Sequence, residues 1–289
     1  MTQAPQDSLV STEWLAEHLQ APDVRVVDAT LALPNEDWSA RARFEEAHIP
    51  GAVFFDIDEI ADSGADLPHM LPPPEKFSSR VRKLGLGDGT RIVVYDQQGL
   101  RSAARVWWSF RVFGHDDVAV LDGGLPKWRD EGRPLEDGPA RPGERHFSAR
   151  MNTLMVRDKE QVLDNIEGRR EQLLDARSRG RFQGTDPEIW PGRRSGHVPG
   201  SLNLPFNELL AADGRTLLPP AELRGRFEAA GIDMAQPVIT TCGSGITAAV
   251  LALGLHLAGH KEVAVYDGSW AEWGQPGDTP VEVGPGASR

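Results

Sequence analysis

The chain holds one cysteine, Cys242, in 289 residues. That excludes an internal disulfide scaffold and any cysteine-rich zinc site. It has no apolar run near the roughly 18 residues that a membrane span needs. Its longest candidate, 248–258, reads as a buried helix. The eight histidines are scattered, with no HExxH pattern and no His-rich tract, so no metal site is expected. Positive charge is also in short supply: 31 Lys and Arg face 43 Asp and Glu, a net charge of −12. An acidic chain is a poor nucleic-acid binder and gains nothing at an anionic membrane surface. Any anionic ligand therefore needs local arginines. The opening MTQAPQDSLV has no basic stretch and no apolar core, so no signal peptide is read there. A soluble, cytoplasmic chain is expected.

What is present is a long internal repeat. Val26–Thr30 (VVDAT), His48–Ala52 (HIPGA), Arg91–Asp96 (RIVVYD) and Val118–Trp128 (VAVLDGGLPKW) run through the first half. Leu173–Arg177 (LLDAR), His197–Ser201 (HVPGS), Val238–Cys242 (VITTC) and Val263–Trp273 (VAVYDGSWAEW) follow in the same order in the second. Two copies are too few for a solenoid and indicate a duplicated domain. Each copy alternates short β-branched runs with helical patterns, which predicts an α/β fold with a parallel sheet. Runs such as RIVVYD and VAVLD read as strands buried on both faces. Segments 77–84, 103–113, 221–230 and 248–258 read as helices. The stretch 136–145, EDGPARPGER, has no apolar period and marks the boundary. The expected domains are 1–140 and 141–289.

Cys242 lies in PVITTCGSGITAAV, 237–250, which reads as strand, Gly-Ser-Gly loop and helix start. Ligands of a parallel sheet bind outside the carboxyl ends of its strands. Backbone N–H groups and the helix dipole at that place favour the thiolate. The first copy carries Asp96 at the corresponding position, and an aspartate cannot do thiol chemistry. Only the second copy is expected to be catalytic. Gly243 and Gly245 let backbone N–H groups turn inward as an anion nest around the sulfur, with Ile246 and Thr247 completing the loop. Two roles are open to the Ser244 hydroxyl: a hydrogen bond to the sulfur or leaving group, and a helix cap. Thr247 reads as a cap or loop brace. Trp107, Trp108, Trp128, Trp270 and Trp273 read as packing residues, and Trp270 is also a candidate pocket wall.

These pieces resemble the rhodanese superfamily of sulfurtransferases in its tandem two-domain form, over most of the chain. The resemblance rests on CGSGIT at 242–247, HIPGAVFFDID at 48–58, LPHMLP at 67–72, SAARVWW at 102–108, GRF at 180–182 and YDGSWAEW at 266–273. It is strongest toward the branch that uses 3-mercaptopyruvate. It implies a two-step transfer through a Cys242 persulfide to a thiol or cyanide, with thioredoxin as one such thiol, and without a cofactor. Thiosulfate-specific relatives carry basic residues after the cysteine, whereas Gly243 and Ser244 are neutral. That favours the mercaptopyruvate monoanion, held by arginine forks.

The resemblance assigns Arg181 to the substrate clamp; a surface ion pair is its plain alternative. The second arginine of the mercaptopyruvate branch falls nine residues on, where this chain has Trp190. Arg193 and Arg194 are the nearby substitutes. The resemblance also suggests a proton relay of Ser244, a histidine placed at His48 and an upstream acid placed at Asp37. A structural histidine and an exposed loop acid are the alternatives for those two. Three rivals stand beside this reading. The first is a thiosulfate sulfurtransferase with the same mechanism. The second is a cysteine phosphatase, opposed by Ala248 where a phosphate-gripping arginine belongs. The third is a persulfide carrier without turnover.

Overall fold

The computed structural model describes residues 8–140 and 142–286. Residues 1–7, on which part of the leader reading rests, lie outside the described residues. The chain forms two compact units. The first comprises Met1–Ser63, Leu71–Asn152 and Ala211–Leu217; the second comprises Gly64–Met70, Thr153–Leu210 and Leu218–Arg289.

In the first unit the order is β1 (Leu9–Val10), α1 (Thr12–His18), β2 (Val24–Asp28), α2 (Ala40–Glu46), β3 (Val53–Phe54), α3 (Ile57–Ile60), α4 (Pro74–Lys83), β4 (Arg91–Tyr95), α5 (Ala103–Val112), β5 (Val118–Leu121) and α6 (Gly124–Asp130). The second unit repeats the plan with β6 (Val156–Arg157), α7 (Lys159–Gly168), β7 (Gln172–Asp175), α8 (Arg179–Gln183), β8 (Leu202–Asn203), α9 (Pro220–Ala229), β9 (Val238–Thr241), α10 (Ala248–Leu257), β10 (Val263–Tyr266) and α11 (Ser269–Trp273). Each unit has one five-stranded sheet, ordered β1-β5-β4-β2-β3 and β6-β10-β9-β7-β8. All strand pairs are parallel. The fold is therefore α/β, with a parallel sheet used twice.

The central strands are buried along nearly their whole length, as helices on both faces of a parallel sheet require. Helices α5 and α10 follow the two corresponding loops and are buried nearly all round. Each buries all but one of its residues, Arg111 in α5 and His256 in α10. A helix of that kind is a core element and fixes the loop before it.

The duplication extends to single hydrogen bonds. The indole N–H of Trp128 donates to Pro134 O, and that of Trp273 to Pro280 O, each at 2.8 Å. His48 Nδ1 meets Phe44 O at 2.8 Å, with its ring stacked on Phe44 at 4.0 Å. His197 Nδ1 meets Phe182 O at 2.8 Å, with its ring stacked on Phe182 at 3.8 Å. The two HxPG histidines thus brace equivalent turns.

The division falls after Asn152, whereas the composition placed it at 140. The intervening segment belongs to the first unit because Phe147 is buried against Phe77 and Phe110. The Arg150 and Asn152 N–H groups then donate to Phe113 O and Val112 O at 2.9 and 2.7 Å.

Candidate active site

Cys242 follows the last residue of β9 and is a free, buried thiol, 2% exposed. Its loop is pinned from one side by the start of α11. Trp270 N–H donates to Cys242 O at 2.9 Å and Ala271 N–H to Gly243 O at 2.7 Å. Cys242 N–H donates to Ser269 Oγ at 3.2 Å, and that hydroxyl donates to Tyr266 O at 2.8 Å. Gly245 adopts φ +78°, the left-handed turn that brings the chain into α10. The loop backbone therefore sits in front of a ten-residue helix whose first N–H groups point toward it.

Thr247 occupies the N-cap position of α10, but its side chain makes no capping bond. Ser244 does not cap either. Its Oγ lies 2.9 Å from His69 Nδ1, and both residues are buried. His69 belongs to the 64–70 segment of the second unit and holds φ +60°, a rare conformation for a non-glycine residue. The histidine that meets Ser244 is thus His69. His48 has its partners within the first unit, on Phe44 and across a β-bridge to Glu136. Asp37 is an exposed loop residue of the first unit. HIPG is a visible turn signature, while His69 in LPHMLP carries no local sign of a partner 175 residues away.

The arginines divide sharply. Arg181 lies on α8 and pairs with Glu188, Nη2 to Oε2 at 2.5 Å. Glu188 also receives Arg177 Nη1 at 2.7 Å, and Arg177 reaches Asp175 at 2.7 Å. Arg177 is fully buried over the ring of Trp270, 4.3 Å from its centroid. Burial opposes its charge, but Asp175 and Glu188 overcome this and hold its pKa above the ordinary arginine value. This chain of two cations and two anions ends at the cysteine loop. A Cβ built on Gly243 would stand 3.1 Å from Arg181 Nη2 and 3.4 Å from Trp190 Nε1.

Arg193 and Arg194 are turned to the backbone instead. Arg193 donates to Ala271 O at 2.7 Å and Pro191 O at 3.1 Å. Arg194 donates to Trp273 O at 2.9 Å, Thr279 O at 2.8 Å and Gly277 O at 3.3 Å, and also contacts Thr279 Oγ1. Both side chains thus tie the 191–194 segment to the backbone of α11 and of the segment after it. Trp270 adds to that tie, its indole N–H donating to Arg194 O at 2.9 Å. Ile246 is buried beneath the loop. Among the described residues no cluster of His, Cys, Asp and Glu could hold a metal ion.

The corresponding loop of the first unit shows what such a turn holds. The Asp96 carboxylate accepts the N–H groups of Gln98, Arg101 and Ala103 at 2.9, 2.7 and 2.9 Å. A negative group thus sits in a backbone nest where the other copy carries sulfur.

A rhodanese-like domain model matches residues 11–131 and 158–276. 3-Mercaptopyruvate sulfurtransferase of Homo sapiens is 44% identical over 272 residues, covering 92% of this chain and 91% of that protein. Thiosulfate sulfurtransferase of Bos taurus is 45% identical over 288 residues, covering 96% of each. Among solved structures, that of the 3-mercaptopyruvate sulfurtransferase SseA from Escherichia coli superposes with a TM-score of 0.84 at 39% identity. It covers 92% of this chain and 99% of that one. With one matching domain in each half and relatives named as sulfurtransferases, the chain belongs to the rhodanese-like family in its tandem form.

Proposed function

We propose that the chain is a sulfurtransferase that moves a sulfur atom from 3-mercaptopyruvate, through a Cys242 persulfide, to a thiol or to cyanide. One observation carries this reading. The single thiol heads a glycine-rich loop in front of α10, with the Arg181 guanidinium close to Gly243.

The chemistry divides into two displacements. In the first, the Cys242 thiolate attacks the sulfur of the donor. A sulfur–sulfur bond forms, the donor's carbon–sulfur bond breaks, and its electron pair leaves on carbon as the enolate of pyruvate. A proton is then delivered to that carbon. The Ser244–His69 pair supplies it, having received the proton of the donor's thiol. In the second, an acceptor thiolate or cyanide attacks the outer sulfur and releases Cys242 as thiolate. Backbone N–H groups of 243–247 stabilise the sulfur anions in both steps. The group that carries sulfur is the protein's own thiol, so no resident cofactor enters the sequence. The acceptor fits a small reduced protein such as thioredoxin, and the enzyme works in the cytoplasm. No helix among the described residues is long and apolar enough to cross a membrane.

Thiosulfate is the second donor to consider, because the relatives include thiosulfate sulfurtransferases and Trp190 replaces a cation. The neutral Gly243 and Ser244 favour the mercapto acid.

Intact mass decides. After exposure to 3-mercaptopyruvate, the protein gains one sulfur atom, which a thiol removes and which Cys242→Ser never acquires. A gain from thiosulfate alone would shift the donor and keep the mechanism. No gain from either donor would overturn the reading in favour of a carrier loaded by another protein.

A further inference from the structure

We propose that Trp190 is a substrate-binding residue whose indole Nε1–H donates to a carboxylate oxygen of the sulfur donor. This rests on the reading of the donor as a mercapto acid.

Four observations lead there. First, Trp190 Nε1 is buried and has no hydrogen-bond partner among the described residues. Indole N–H groups find a partner when buried, so a stranded donor needs a reason. Second, the nitrogen is aimed at the loop, 3.4 Å from the place a Gly243 side chain would occupy. Arg181 Nη2 stands 3.1 Å from that same place. Two donors therefore converge beside the residue that follows Cys242, and glycine at 243 leaves both of them their place against the loop backbone. Third, Trp190 is held by an edge contact with His69, ring centroids 5.7 Å apart at 71°. The indole is thus tied to the residue that meets Ser244. Fourth, Arg181 already faces Glu188 at 2.5 Å, and Arg193 and Arg194 face backbone carbonyls. The cation beside Gly243 is partly neutralised, and the bonds recorded for Arg193 and Arg194 go elsewhere.

A planar group with two oxygens and one negative charge suits one guanidinium N–H and one neutral indole N–H. A carboxylate has that shape and charge. Thiosulfate spreads two charges over its oxygens and sulfur, and a neutral N–H compensates neither.

The test is Trp190→Phe, which keeps an aromatic ring against His69 and deletes the donor. Loss of a hydrogen bond to a charged group predicts a rise in KM for 3-mercaptopyruvate of roughly 10-fold. The turnover number stays within about 2-fold, since the bond is made in ground and transition states alike. The inhibition constant of pyruvate, which keeps the carboxylate and lacks the sulfur, rises by the same factor, whereas KM for thiosulfate holds. Trp190→His, which retains a ring N–H, recovers part of the loss. An unchanged KM for 3-mercaptopyruvate in Trp190→Phe would overturn the proposal. So would equal rises for both donors with pyruvate inhibition unmoved, the mark of a packing defect. Titration calorimetry with pyruvate reads the same contact without turnover. If the wild-type protein takes sulfur from neither donor, the donor reading falls, and weaker pyruvate binding in Trp190→Phe still supports the contact. Equal pyruvate binding by the two proteins, or none by either, overturns it.

Discussion

Ser244 Oγ and His69 Nδ1 stand 2.9 Å apart although 175 positions separate the two residues. The contact is maintained against backbone strain. His69 holds φ +60°, and a non-glycine residue in the left-handed region costs on the order of 1–3 kcal/mol. Strain of that kind persists only where the surroundings over-determine it. Here it turns the imidazole onto a hydroxyl two residues from Cys242.

In the proposed reaction the pair acts only when the leaving group needs a proton. Pyruvate leaves as a carbon base that must be protonated; sulfite does not. His69→Gln is therefore expected to lower the turnover number with 3-mercaptopyruvate by roughly 10²-fold or more, the range of lost general acid–base catalysis. Turnover with thiosulfate changes far less. Steady-state kinetics with the two donors checks this. An equal fall for both would make His69 a loop brace instead of a proton carrier.

Asp96 is the counterpart of Cys242, and its carboxylate is locked by three backbone N–H groups. Asp96→Asn turns an amide N–H₂ toward at least one of those donors and leaves it buried and unpaired. A loss of about 1–3 kcal/mol of stability is expected for each stranded group. Sulfur transfer per folded molecule is expected to stay the same, because Asp96 carries no step of the proposed chemistry. Denaturant unfolding beside donor kinetics separates the two. Lost activity with intact stability would give the first unit a catalytic part.

Much of this was readable from the chain because the two copies annotate each other. Strand runs such as RIVVY and VITT, the apolar helices after them, and the exchange of Asp96 for Cys242 all follow from local pattern and repeat order. What escaped depends on contacts that no short window contains. His48 advertises itself through the HIPG turn, yet its ring closes on Phe44, four residues back. His69 acquires its partner only because 64–70 joins the second unit. Arg194 looks like a free cation in PGRRSG, but the carbonyls of 273, 277 and 279 claim it. The segment after the polar stretch stays with the first unit through Phe147, which packs on Phe77 and Phe110, a contact that no short window shows.

Glu131 makes the pH dependence of stability testable. It caps the C-terminus of α6 and gathers Thr12 Oγ1 at 2.9 Å, Lys127 Nζ at 3.1 Å and Arg133 Nε at 2.5 Å. Burial pushes its carboxyl up, but the hydrogen bonds from Arg133, Thr12 and Lys127 prevail and bring it to about 2. The folded value lies below the unfolded one of 4.5, so the folded state prefers the carboxylate. The stability it contributes is fully present above the unfolded value and is lost as pH falls from there toward about 2. Glu131→Gln should therefore melt below the wild type at neutral pH, and the gap should narrow on acidification through that window. Thermal unfolding of both proteins across the acid range reads it directly. A gap of constant size down to the acid end would assign the effect to packing at the helix end and remove the carboxylate charge from the account.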